Sequence, residues 1–154
     1  MNEFEEKMKA FIRDKDIKCA HLHFEKSCHS VEEAAKAAKA EREEFVKNIC
    51  MVDFQGNLIV AIVKGENRVS TSRVAKALNI ERPRTAKPEE ILEKTGFPCG
   101  GVPSFGYQAI FLIDPRIIEN EVVYTSGGSE HSLVKISPEE LQKANQGQIV
   151  RVRK

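Results

Sequence analysis

Residues 49–63, ICMVDFQGNLIVAIV, decide how the rest of the chain is read. Ile49 to Phe54 and Leu58 to Val63 are apolar, strand-like runs, and Gln55-Gly56-Asn57 between them supplies turn chemistry. The stretch therefore predicts a β-hairpin. Working outward to the N-terminus, residues 17–24, IKCAHLHF, alternate as a strand does. Ala20, Leu22 and Phe24 share one side, and Cys19, His21 and His23 share the other. Before them, Phe4, Met8, Phe11 and Ile12 fall on one face of an amphipathic helix. Ser30 and Glu33 form a capping box that opens an alanine-rich helix.

On the other side of the hairpin, residues 70–78 read as a short basic helix that Asn79 can end. Pro88 suits the first turn of a further helix, and Gly96 its C-terminal cap. FPCGGVPSFG, residues 97–106, is a loop rich in Gly and Pro. Ala109 to Ile113 and Glu121 to Thr125 are strand-like, Ser137-Pro138-Glu139-Glu140 opens another helix, and Gln148 to Val152 reads as a closing strand. Strands and short helices alternate irregularly, which favours an α+β fold with helices around a mixed sheet. No linker or repeat interrupts residues 1–154, so they are expected to form a single domain.

Composition narrows the function. The chain has 154 residues and a net charge of +1, so global charge calls for neither a nucleic-acid nor a membrane partner. Its four cysteines include no CxxC pair, which suits reduced thiols and a cytoplasmic setting. The charged opening MNEFEEKMKAFIRDKD has no apolar core of a signal peptide, and no apolar run is long enough to span a bilayer.

Four constellations could carry chemistry. The first is the Gly100-Gly101-Val102-Pro103-Ser104 loop, where glycines let backbone N–H groups approach a ligand and hold an anion or polarised carbonyl. Such a loop is also ordinary punctuation between a helix and a strand. The second is Lys47-Asn48, at an apparent helix end just before the apolar strand. There a lysine could reach an anionic ligand or simply suit the helix terminus. The third is the stretch from Lys64 to Lys87. Lys64, Arg68, Arg73, Lys76, Arg82, Arg84 and Lys87 are opposed only by Glu66 and Glu81. Such a locally basic face suits a phosphate backbone, although a solvated surface would look the same. The fourth is Cys19, His21, His23, Cys28 and His29. Its spacing matches no common zinc signature, so a polar strand face is preferred and no metal is expected. Cys50 and Cys99 are expected to be buried or packed in loops, and no base is visible that would make Cys99 a nucleophile.

Taken together, the order of motifs resembles the YbaK/ProX family, related to the editing insertion of bacterial prolyl-tRNA synthetases. The resemblance runs from about Cys28 to Val152. It is carried by His29-Ser30-Val31-Glu32-Glu33-Ala34-Ala35, by Phe45-Val46-Lys47-Asn48 and by Arg84-Thr85-Ala86-Lys87-Pro88-Glu89-Glu90. Further along, Thr95-Gly96-Phe97, Gly100 to Gly106, Ser126-Gly127-Gly128 and Ser137-Pro138-Glu139-Glu140-Leu141 follow in order. The resemblance implies a compact α+β domain around a mixed, barrel-like sheet. It also implies hydrolysis of the ester joining a wrong amino acid to tRNA, often alanine or cysteine on the proline tRNA.

The same resemblance makes Lys47 the functional lysine and Gly101 part of the reaction site. His29, Ser30, Asn48, Gly100, Val102, Pro103, Ser104, Gly127, Gly128 and His131 would shape the amino-acid pocket. Lys64, Arg68, Arg73, Lys76, Arg84 and Lys87 would meet the tRNA, and a synthetase is a further candidate partner. No cofactor is implied. Two residues depart from the family pattern: Ser104 stands where proline is usual, and Lys39-Ala40-Glu41-Arg42 lacks the glycine common before the lysine segment. An activated ester needs mainly orientation and oxyanion stabilisation, which fits the absence of a visible triad. The alternative is a non-catalytic module that binds tRNA or a synthetase.

Overall fold

The computed structural model describes residues 2–154. The expected hairpin is its centre. Strands β2 (Val46–Val52) and β3 (Leu58–Lys64) pair antiparallel, in a register running from Val52 opposite Leu58 to Val46 opposite Lys64. The expected bounds of the first strand were displaced. It stops at Val52 because the Asp53 carboxylate takes the N–H groups of Gln55 and Asn57, tying off a turn that leaves Phe54 82% exposed. It starts at Val46 because the preceding 3-10 turn (Arg42–Glu44), capped by Glu41, ends at Phe45. Lys47 and Asn48 therefore lie inside a strand and not at a helix end.

Around this hairpin β4 (Arg84–Thr85), β5 (Ile110–Ile113) and β8 (Gln148–Ile149) complete a five-stranded sheet in the order β4-β2-β3-β5-β8. The pairs of β5 with β3 and with β8 are parallel, so the sheet is mixed. The closing strand is shorter than the expected run from Gln148 to Val152. Beyond Ile149 the chain is captured by Asp114, whose carboxylate accepts from the N–H groups of Val152 and Arg153 and from the Arg153 guanidinium at 2.8 Å. It then runs antiparallel to residues 68–70, where Ser70 N–H donates to Val152 O and Lys154 N–H to Arg68 O.

A second, antiparallel sheet has the order β1 (Cys19–His23), β7 (Ser132–Ile136), β6 (Val123–Ser126). Strand β7 was not anticipated, because the Ser, Gly and His residues before it read as loop. The two sheets meet at a bridge between Phe45 and Tyr124, whose rings stack with centroids 4.9 Å apart. The result is a barrel-like α+β fold in which the sheets abut without hydrogen-bonded closure.

Among the described residues six α-helices surround the sheets: α1 (Glu3–Asp14), α2 (Val31–Ala38), α3 (Thr71–Leu78), α4 (Pro88–Thr95), α5 (Pro115–Ile118) and α6 (Pro138–Asn145). Their ends follow local chemistry. Ser30, Ser70 and Ser137 accept the N–H groups of Glu33, Arg73 and Glu140, while Asn79 and Gly96 close α3 and α4 in the left-handed conformation. The main core joins Met8 of α1 to Cys50, Val60 and Ile62 of the hairpin and to Val134 and Ile136 of β7. On the other sheet face, Met51, Ile59, Ala61 and Val63 pack with Val74 of α3 and Val152. Alternation along β2 and β3 assigns each residue to one of these cores.

Candidate functional site

The glycine loop is held at both ends by fully buried rings, Phe97 and Phe105. Between them Gly100 is exposed with φ +93°, and Gly101 to Ser104 are buried. A set of hydrogen bonds draws the loop's carbonyls inward. Asn48 Nδ2 donates to Val102 O at 2.9 Å, Tyr107 OH to Pro103 O at 2.6 Å, and Asn145 Nδ2 to Ser104 O at 2.9 Å. The Gly101 amide is spent on Pro98 O. The remaining amide donors, those of Gly100, Val102 and Ser104, meet no acceptor among the described residues. Consecutive carbonyls fixed on one side leave these amides as the loop's available donors.

Ser104 proves to be a strut of this loop and not part of an open pocket wall. It is fully buried, its hydroxyl donates to Asn48 Oδ1 at 2.7 Å, and it lies 2.8 Å from Thr125 Oγ1. Asn48 Nδ2 also donates to Thr125 Oγ1 at 3.0 Å. The serine that replaces the usual proline is thus bound to the asparagine of the lysine segment, and hydrogen bonds do the stiffening that a ring would do. Thr125 was missed from sequence, because only the approach of β6 to β2 brings it here. Ser104→Ala should leave the Asn48 and Thr125 groups short of a partner, at a cost of about 1–3 kcal/mol. Thermal melting would then fall by roughly 2–4 °C per kcal/mol for a chain of this size. An unchanged melting curve would show that this network does not hold the loop.

The facing wall is the turn Gly127-Gly128-Ser129. Gly128 has φ +111° and lies against the backbone of Phe4 and Glu5. A Cβ on Gly101 would come within 2.8 Å of the Gly128 carbonyl, so the two glycine segments touch backbone to backbone. His21 Nε2 is 2.9 Å from Gly127 O. Ser129 Oγ donates to the buried Glu5 carboxylate at 2.8 Å, and His23 Nδ1 reaches its other oxygen at 2.7 Å. Burial alone would raise the Glu5 pKa, but the hydrogen bonds from Ser129 and His23 outweigh it and hold the carboxyl below its ordinary value.

The Cys/His stretch is accordingly dispersed. His21 and His23 brace the Gly127 turn, while His29 faces Glu130 at 3.1 Å near Gly100. Among the described residues no group of three or more His, Cys, Asp or Glu is placed to hold a metal ion. Burial pushes the Cys19 thiol up to about 11, with Glu140 adding to the shift. Cys50 is buried, and its thiol is pushed up to about 12 by burial with Cys99 adding. Cys99 is exposed at the rim of the loop, against the expectation that it is packed. Of the other pocket candidates, Ser30 is committed to capping α2, while His131 is half-buried and donates its N–H to Ser129 Oγ.

Lys47 and Asn48 sit on opposite pleats of β2. Asn48 points to the loop, whereas Lys47 shares its pleat with Ile49 and Met51 and is opposite Val63. Lys47 is half-buried and forms no ion pair among the described residues. Burial lowers its pKa, and the nearby Arg68 lowers it further. A desolvated cation without a counter-ion is a common mark of a ligand site.

The basic stretch is not one patch. Lys64, at the end of β3, is half-buried, whereas Arg68, Arg73 and Lys76 are exposed on the α3 side. Arg84 is engaged by Glu90 through two bonds of 2.7 Å, and Lys87 caps α4 through a capping box with Glu90. The Arg84 charge expected for a polyanion is thus already compensated.

Residues 25–144 match the family model of an aminoacyl-tRNA editing domain. The uncharacterized protein YwhH of Bacillus subtilis is 25% identical over 133 residues, covering 85% of this chain and 82% of that protein. A proline--tRNA ligase of Pseudothermotoga lettingae is 22% identical over 104 residues, which are 67% of this chain and 18% of the ligase. A crystal structure described as that of "a putative trans-editing enzyme for prolyl tRNA synthetase" superposes with a TM-score of 0.92. It is 24% identical, with 100% of this chain and 99% of that chain covered. That likeness shows the same fold.

Proposed function

We infer the function from one premise: this chain belongs to the aminoacyl-tRNA editing domain family, and it is an aminoacyl-tRNA deacylase. Our finer reading is that it acts in trans on mischarged proline tRNA, removing alanine or cysteine. The observation that carries this reading is the glycine loop. The carbonyls of Val102, Pro103 and Ser104 are tied inward, free amides remain, and Asn48 joins the loop to the strand that carries the partnerless Lys47.

The chemistry follows from that arrangement. In hydrolysis, water adds to the ester carbonyl, the carbonyl oxygen gains negative charge, and the 3′-terminal ribose oxygen leaves with a proton. The amides of Gly100 and Val102 would stabilise the developing oxyanion, and fixed dipoles do this without reorganisation. Lys47 would hold the terminal phosphate and orient the ester. Gly101 and Gly128, in backbone contact, would limit the space for the amino-acid side chain. That makes a steric sieve which admits alanine or cysteine and excludes proline. The tRNA charging reaction supplies the substrate, so a prolyl-tRNA synthetase is the partner this reading favours, in the cytoplasm.

A deacylation panel tests this. Ala-, Cys- and Ser-charged proline tRNA are incubated with the protein, with correctly charged Pro-tRNA as the control. Rapid loss of Ala or Cys with Pro retained is the expected result. If every mischarged tRNA keeps its spontaneous half-life, the protein is a tRNA- or synthetase-binding module instead.

A further inference from the structure

The tail of the chain carries charge that the expected basic stretch did not include. Because Asp114 draws residues 152–153 against residues 68–70, Arg151, Arg153 and Lys154 come to lie beside α3. An open cavity of about 520 Å³ is formed there. Its lining includes Arg73, Arg82 and Lys154 together with the hydroxyl residues Ser70, Thr71 and Ser72, and it contains no acidic residue. Arg153 is neutralised by Asp114 at 2.8 Å and is mostly covered, so it serves to anchor the tail. Arg151 and Lys154 are exposed. The Arg151 cation is disfavoured first by Arg73, then by burial, Arg153 and Arg116, against a smaller opposing effect of Asp114, which fits a crowded set of like charges. On the same surface, Arg68 accepts the Lys154 N–H at its carbonyl and is the cation that acts on Lys47.

We propose that Arg151 and Lys154 of the C-terminal tail join Arg68, Arg73 and Arg82 in one surface that holds the phosphate backbone of the tRNA substrate. The identity of that polyanion rests on the editing reading. Like charges gathered from three separate segments around a cavity whose lining holds no acidic residue, with Asp114 already spent on Arg153, repel one another and gain from a ligand of opposite sign. The surface leads through Arg68 to Lys47, so an acceptor arm lying on it would bring its 3′ end to Lys47. Arg84 and Lys87, bound up with Glu90, take no part.

The test is the binding of uncharged bulk tRNA as a function of salt, for wild type, Arg151→Gln/Lys154→Gln, Arg73→Gln and Lys143→Gln. Each lost phosphate contact should reduce the log–log slope by about 0.7–0.9, so the tail double variant should lose about 1.4–1.8 and bind roughly tenfold more weakly. Arg73→Gln should lose about one contact's worth of slope. Lys143→Gln, on α6, should bind as wild type does. All the replaced side chains are exposed, so melting should be unchanged. An unchanged slope and affinity in the tail variant would overturn the proposal, and so would an equal loss in Lys143→Gln, since net charge alone would then explain the effect. Wild-type binding with the expected slope but no deacylation would support the surface while removing the editing reading.

Discussion

Gly101→Val is expected to abolish deacylation and to lower thermal stability as well. From sequence, a branched side chain at this position, where backbone is expected to approach substrate, would be expected to cut activity far more than stability. The structure shows a different neighbour. A Cβ at Gly101 would lie 2.8 Å from the Gly128 carbonyl carbon and oxygen and 2.9 Å from Ser129 Cα. These are backbone atoms, and Gly128 is itself wedged against Phe4 and Glu5, so the turn has nowhere to retreat. Forcing extra carbons into such a contact costs about 1–3 kcal/mol. Melting should drop by about 2–4 °C for each kcal/mol. The two walls would also part, and a site that works by orientation does not survive a shift of that kind. Melting and single-turnover deacylation of Ala-tRNA measure both effects. A variant with wild-type melting and wild-type rate would mean that these glycine segments neither interlock nor form the site.

Lys47→Ala should behave in the opposite way, with activity lost and the fold kept. The half-buried ammonium has no carboxylate partner among the described residues and suffers from Arg68, so its removal leaves no orphaned charge. Melting should stay level or rise slightly. Losing one charge-assisted contact costs about 1.5–3 kcal/mol, roughly 10- to 100-fold in rate. Lys47→Arg should recover only part, because a planar guanidinium does not reproduce a compact ammonium. The pH profile adds an independent check. The lysine pKa is below its ordinary 10.5, so the charge disappears earlier as pH rises. Enzyme-dependent deacylation should therefore decline on the alkaline side before an ordinary lysine would titrate, and Lys47→Ala should lack that decline. Near-wild-type rates in Lys47→Ala would make this an ordinary strand lysine.

Much of the architecture was legible in local signals. The hairpin, the amphipathic first helix, the serine caps, and the stops at Asn79 and Gly96 each depend on neighbours within a few residues, and such chemistry is written along the chain. Strand β7 was not legible, because Ser132 and the glycines before it carry turn signals and its pairing with β1 joins segments more than a hundred residues apart. The same limit applied to the site. The loop, Lys47 and Asn48 could be picked out by type and order, but Thr125 could not, since only the approach of β6 to β2 brings it to Asn48.

What the sequence determined by itself is the α+β class, the family order of motifs, and the residues able to bind a carbonyl or a phosphate. These follow from side-chain chemistry, short-range backbone preference and order along the chain. What only the tertiary structure decided is which of those residues work together. Strand pleating sends Lys47 and Asn48 to opposite faces, and sheet packing turns Ser104 from a pocket wall into a strut on Asn48 and Thr125. Glu90 removes Arg84 from the basic surface, while Asp114 brings Arg151 and Lys154 into it. In each case the deciding partner lies on another element, and a charge or hydrogen bond acts through distance in space, which the linear order of residues does not record.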